Sequence, residues 1–247
     1  MNLQKLGVLK FWRNASYAPT RYLSQYKPNF IQPTTLEKTK YLFGFGNNLR
    51  YPSTTLRMAS ENMFVICAEY PVFEDFVQHL KLPDTFQTWF SLTVLHLWMC
   101  YVRLRQEGNE GYLMKKGMDK ALWADVGKRL YAFNILTGRT KQIKVFRTQY
   151  FGSMFAYDEA ILSCSDSHLA AALWNNIWIS SSTATFQEIE TLVKYVRKQL
   201  EHLEKTSSTV ILGYGSPTFL PLLNDEIDFS FAEKRLKYCL SFPEHLK

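Results

Sequence analysis

From Leu56 onward, apolar side chains return every three to four residues rather than every two, which predicts a series of helices. "RMASENMFVICAEY" supplies Met58, Met63, Phe64, Ile66 and Cys67 and stops before Pro71. "PVFEDFVQHL" sets Phe73, Phe76, Val77 and Leu80 at i, i+3, i+4 and i+7, with Pro71 at the first helical position. Asp84, with Gln87 three residues on, predicts a capping box for a helix that runs without Gly or Pro through Arg105 and stops near Gly108. "YLMKKGMDKALWADVGKRLYAF" puts Leu113, Leu122, Trp123, Val126 and Leu130 on one side. Asp166 reads as the cap of "SHLAAALWNNIWI", whose stripe is Leu169, Ala172, Leu173 and Ile177. The cleanest amphipath is "TFQEIETLVKYVRKQLEHL": Thr185 and Glu188 form a capping box, and Ile189, Leu192, Val193, Val196, Leu200 and Leu203 keep helical spacing.

Alternating, period-two runs are scarce before residue 207. Residues 56–206 therefore read as one all-α, bundle-like domain of six or seven helices on a single core, with irregular N- and C-terminal extensions. Residues 37–55 read as a turn-laden linker ("FGFGNNLRYPSTT"). In the 207–247 extension, "VILGYGSPTFLPLLND" is strand- and turn-like, and "DFSFAEKRLKYCL" is a short helix.

The most apolar stretch, "FQTWFSLTVLHLWMCYVRLR", has eighteen uncharged residues between Asp84 and Arg103. That is the lower edge of what spans a bilayer. Gln87, Thr88, Ser91, Thr93 and His96 are scattered around the whole helix, however, and a mid-membrane histidine is costly. A helix apolar on every side is also what the centre of a soluble bundle requires. The stretch reads as a core helix.

Charge changes the picture at one end. Residues 1–36 carry Lys5, Lys10, Arg13, Arg21 and Lys27 and no acid, so five of the seven net positive charges lie there. The high isoelectric point is thus largely a property of the N-terminus and is no argument for nucleic acid. Leu3, Leu6, Leu9 and Trp12 add an apolar stripe to those cations, the pattern of a mitochondrial transit peptide and leader, with a basic tail of a cytosolic protein as the alternative. Cys67, Cys100, Cys164 and Cys239 show no CxxC and no ligand spacing with histidine, so no structural zinc is expected.

Chemistry-bearing groups are few. His96 lacks an i+4 partner and reads as a buried structural histidine rather than a base or ligand. Asp158 and Glu159 are adjacent, and so point about 100° apart on a helix and do not serve one small site. One carboxylate is expected to face water and the other to pair with a cation such as Arg103 or Arg129. From Lys128 to Tyr157 there is no acid and there are six bases; Lys141, Lys144 and Arg147 lie along one helical side, a footprint for phosphate backbones or anionic lipid, or simply a solvated face. The "GFG" and "GYGS" runs lack strand–turn–helix context, and no nucleophile motif occurs.

Five blocks in order, "LPDTFQTWFSLTVLHLWMCYVRL", "LWADVGKRL", "FGSMFAYDEAI", "LAAALWNNIW" and "LVKYVRKQL", resemble the ubiquinol–cytochrome c chaperone family. The resemblance covers residues 56–206 and departs at Asn175, where a basic residue is expected. It implies a non-enzymatic assembly factor of respiratory complex III on the matrix side of the mitochondrial inner membrane. Its partners would be newly made cytochrome b, a small helical assembly factor, the mitoribosome and, peripherally, the membrane, but not DNA. No catalytic residue, cofactor or metal is implied. Under that reading Tyr157, Asp158, Glu159, Trp174 and Trp178 are the candidates for partner or client binding. Arg139, Lys141, Lys144 and Arg147 are the candidates for ribosome or membrane docking. Two rivals remain: an RNA-binding translation activator, and a helical lipid- or small-molecule-binding enzyme in which His96 and Asp158 converge.

Overall fold

A computed structural model describes residues 49–132, 138–179, 184–223 and 229–241. Eight α-helices run through them: α1 (Ser53–Glu69), α2 (Phe73–His79), α3 (Phe86–Leu104), α4 (Gly108–Ala132), α5 (Arg139–Leu162), α6 (Asp166–Ile177), α7 (Phe186–Lys205) and α8 (Phe229–Ser241). No strand occurs among the described residues. The all-α expectation holds, with seven helices between Ser53 and Lys205.

Helix α3 is the axis of the molecule. It packs against α1, α4, α5, α6 and α7, and every one of its residues except Gln87 and Val102 is buried. An apolar run that long needs neighbours on all sides, and the bundle supplies them. No helix among the described residues is long and apolar enough to cross a membrane. The polar groups that made the run ambiguous are satisfied internally. Thr88 donates to the Pro83 carbonyl at 2.6 Å, and Ser91 accepts from both Gln87 and Gln149 at 3.2 Å.

Helix starts differ from expectation by one or two residues. The cap of α3 is Thr85, whose hydroxyl accepts from Thr88 N at 3.2 Å; Asp84 lies one residue too early, and Gln87 reaches Ser91 instead of closing a box. Helix α2 starts at Phe73, so Pro71 stands outside it. Ser165, not Asp166, occupies the cap position of α6, and Asp166 instead accepts from Arg197 at 3.0 Å. The box on α7 is as read: Thr185 N donates to Glu188 Oε2 at 2.8 Å, and Glu188 N to Thr185 Oγ1 at 3.5 Å.

Between α3 and α4 the chain turns at Arg105–Glu107 and at Gly108, whose φ of 61° suits a residue without Cβ. The buried stripe of α4 is Met114, Met118, Leu122, Val126 and Leu130; Leu113 lies one residue out of phase and faces outward.

The described parts of the 37–55 and 207–247 segments join the fold. Helix α1 starts inside the 37–55 segment, where Tyr51 is buried and Arg50 pairs with Glu107 and Glu110. The strand-like reading of "VILGYGSPTFLPLLND" is corrected: Thr209–Tyr214 is a π-helical turn, and Ile211, Leu212, Phe219 and Leu222 enter the common core. Gln199 holds this segment by bonding both the carbonyl and the N–H of Leu220, at 2.9 and 3.0 Å. The short C-terminal helix exists as α8, and Arg235 ties it to the end of α1 through the carbonyls of Tyr70 and Glu69 at 3.0 and 2.8 Å.

Candidate functional site: the outer face of helix α5

Helix α5 carries two opposed stripes. Phe146, Tyr150, Ser153, Tyr157 and Ala160 recur every three or four residues and are buried. Half a turn away, Lys141, Lys144, Val145, Thr148, Phe151, Phe155, Glu159 and Leu162 form a second stripe, and all are exposed. Exposure is extensive for the apolar ones: Phe151 64%, Phe155 71% and Leu162 82%. The face is therefore cationic over its first half and apolar over its second.

The docking candidates Arg139, Lys141, Lys144 and Arg147 are all exposed. Arg139, Lys141 and Lys144 meet no carboxylate among the described residues, whereas the acids nearby in α4 are committed elsewhere. Asp119 accepts from Tyr101 at 2.8 Å, Tyr150 at 2.5 Å and Lys115 at 2.8 Å, joining α3, α4 and α5. Asp125 is held by Arg129 at 2.7 Å. Arg147 lies over the Trp123 ring, 4.4 Å from its centroid. Beside it, Trp123, Ala124, Gly127, Lys128, Tyr131, Arg139 and Ile143 line an open hollow of about 460 Å³.

The partner candidates divide by burial. Tyr157 is fully buried with its ring 5.2 Å from that of Trp98, and burial pushes its phenol up; it is a packing residue. Asp158 is half-buried and accepts from Trp98 Nε1 at 2.8 Å and from Arg105 at 2.6–2.7 Å. Its cation is Arg105, and neither Arg103 nor Arg129. Arg103 instead pairs with Glu107 and donates to the Leu203 and Thr206 carbonyls at the end of α7; Arg129 bridges Asp125 and Glu69. Glu159 faces outward, as expected for one of the two carboxylates. Trp174 on α6 is 45% exposed, but Trp178 is 4% exposed and donates to the Leu80 carbonyl at 3.3 Å, so it is no surface aromatic. The residues that sequence reasoning missed are Phe151, Phe155 and Leu162. Their spacing was visible, but the opposite stripe is apolar too, so nothing marked which one faced out.

His96 is fully buried. Its Nδ1 donates to the Leu92 carbonyl at 2.7 Å, which leaves Nε2 to accept from Tyr195 OH at 2.6 Å. Burial pushes its pKa down to about 4, so it is neutral. The partners of His96 and those of Asp158 are different residues. No cluster of three or more metal-ligating side chains occurs among the described residues.

A sequence profile of the family described as ubiquinol-cytochrome C chaperone matches residues 78–219. The chain belongs to that family. The match starts at residue 78 and runs through the buried turn after α7, past residue 206 where the resemblance read from the sequence ends. It is similar to ubiquinol-cytochrome c reductase complex assembly factor 1 of Homo sapiens, 34% identical over 85% of this chain and 71% of the human protein. The Xenopus laevis protein of that name is 34% identical over 74% of this chain and 91% of its own length. Protein CBP3, mitochondrial, of Saccharomyces cerevisiae is 34% identical over 53% of this chain and 40% of its own. The crystal structure of the Cbp3 homolog from Brucella abortus superposes with a TM-score of 0.57 over 71% of this chain and 93% of that one; at 20% identity the likeness is one of fold.

Proposed function

We propose that this chain is a non-enzymatic assembly factor of respiratory complex III, acting in mitochondria on the matrix side of the inner membrane. Its client is newly made cytochrome b, held with the help of a small helical partner near the mitoribosome. Relatives named as complex III assembly factors and the mitochondrial name of the yeast relative support this reading. The observation that carries it is the apolar half of the outer face of α5, where Phe155 and Leu162 stand largely in solvent. A monomer exposes large apolar side chains in a row at a cost in solubility, and an apolar segment of a membrane protein covers such a row. Trp174 on the next helix and the outward Glu159 lie within reach of the same role. The cations Arg139, Lys141, Lys144 and Arg147 supply docking to an anionic body, ribosome or membrane.

Affinity capture of the tagged chain from gently solubilised mitochondria tests the reading. Cytochrome b, a small helical protein and mitoribosomal proteins are the expected companions. The double variant Phe155→Ser, Leu162→Ser should retain the melting temperature of the parent and lose most of the cytochrome b. A chain absent from mitochondria, or recovered without cytochrome b, contradicts it.

The second reading, an RNA-binding translation activator, draws on the same cations, since all four are exposed on one helix. Salt-sensitive recovery of a mitochondrial messenger RNA in the same capture, without cytochrome b, would favour it.

A further inference from the structure

Three observations coincide at the corner between α4 and α5. Arg139, Lys141 and Lys144 are exposed and have no carboxylate partner among the described residues. Arg139 also lines the hollow together with the apolar side chains of Trp123, Tyr131 and Ile143. Val145 and Phe151, 53% and 64% exposed, stand on the same stripe as the two lysines. Cations alone fit any polyanion. An exposed aliphatic valine among those cations fits a surface that is anionic at the top and apolar just beneath, because it gains nothing from a phosphate or from base stacking, whereas the Phe151 ring suits either.

We propose that this corner docks on an anionic phospholipid bilayer. Arg139, Lys141 and Lys144 meet headgroup phosphates, the hollow beside Trp123 admits one headgroup, and Val145 and Phe151 enter the boundary between headgroups and acyl chains. This deepens the docking part of the reading above, and its test contains no client, so either can fail alone. The contact is superficial, since no described helix is long and apolar enough to span. Each cation near an anionic surface contributes about 1 kcal/mol, so three supply roughly a hundred-fold in affinity at low salt.

The test is flotation of the full chain with vesicles of phosphatidylcholine alone or with one third phosphatidylglycerol. The chain should bind the anionic vesicles at least ten-fold more tightly. The triple variant Arg139→Glu, Lys141→Glu, Lys144→Glu should lose at least ten-fold while keeping its melting temperature. The leader carries five cations of its own. A second variant with Lys5, Lys10, Arg13, Arg21 and Lys27 changed to Gln should therefore stay bound through α5. Val145→Ser should weaken vesicle binding about three-fold or more and leave binding to a short RNA unchanged. Inorganic phosphate at millimolar concentration should not displace the chain; displacement would mean a free-phosphate site and overturn the bilayer assignment. Equal binding by the triple variant, release by the leader variant alone, or binding to RNA with none to vesicles would also overturn it.

Discussion

Burial holds His96 neutral, and that has a pH signature. Its folded pKa, about 4, lies below the ordinary value of 6.5 because an imidazolium would lose its water inside the bundle. Between those two values the unfolded chain binds the proton and the folded chain does not. The histidine's contribution is present above pH 6.5 and is lost as pH falls toward 4, by about 3 kcal/mol in all. Glu69, which burial pushes up to about 7, works in the opposite direction: the folded chain holds its proton up to a higher pH, so that part of the stability falls as pH rises from 4.5 to 7. The informative quantity is the difference between the parent and His96→Gln, in which Glu69 cancels. Urea unfolding at pH 7 and pH 4.5 should show His96→Gln losing less stability on acidification than the parent. A second residue-scale test concerns Arg129, which is buried over the Trp89 ring between Asp125 and Glu69. Arg129→Met strands the buried Asp125 and the partly buried Glu69 and should cost about 3–5 kcal/mol in the same assay. The cross-helix parts of both networks were not legible in the sequence, since Tyr195 is 99 positions from His96 and Glu69 is 60 from Arg129; only the i, i+4 pair Asp125–Arg129 lies within one helix.

Among the elements, those with one clean stripe were legible and those with two were not. Helix α7 announced itself through Thr185, Glu188 and a single apolar face, and Thr185→Ala should lower stability by about 1 kcal/mol in thermal unfolding. Helix α3 was legible as a core helix because an uncharged run studded with polar groups suits a bundle's centre better than lipid. Helix α5 was not, since apolar residues occupy both its sides, and only the tertiary packing decides which side is covered. The segment after α7 misled for a different reason. Its Gly, Pro and Thr are turn formers, but Ile211, Leu212, Phe219 and Leu222 add to the core from an irregular path that has no period. Gly215 fixes that path: its φ is 62°, and a Cβ there would lie 1.9 Å from the Ala59 carbonyl oxygen in α1. Gly215→Ala should therefore lower the melting temperature measurably, with about 1–3 kcal/mol lost to backbone strain and overpacking. Gly117 against Ser60 brings α4 and α1 together by similar close approach.

At the scale of the whole molecule, the proposed working surface lies on the outside of the bundle. The buried polar groups are spent on one another: His96 on Tyr195, Asp119 on two tyrosines, Arg129 on two acids. Among the described residues, the outer face of α5 presents a continuous exposed stripe, cationic from Arg139 to Arg147 and apolar from Phe151 to Leu162. The most direct test puts a photoreactive amino acid at Phe155, in the middle of the apolar half, and for comparison at Glu204, exposed on α7. After labelling of mitochondrial translation products and illumination, the Phe155 position should cross-link newly made cytochrome b and the Glu204 position should not. Cross-links to cytochrome b from Glu204 with none from Phe155 would contradict the account and move the client to another face.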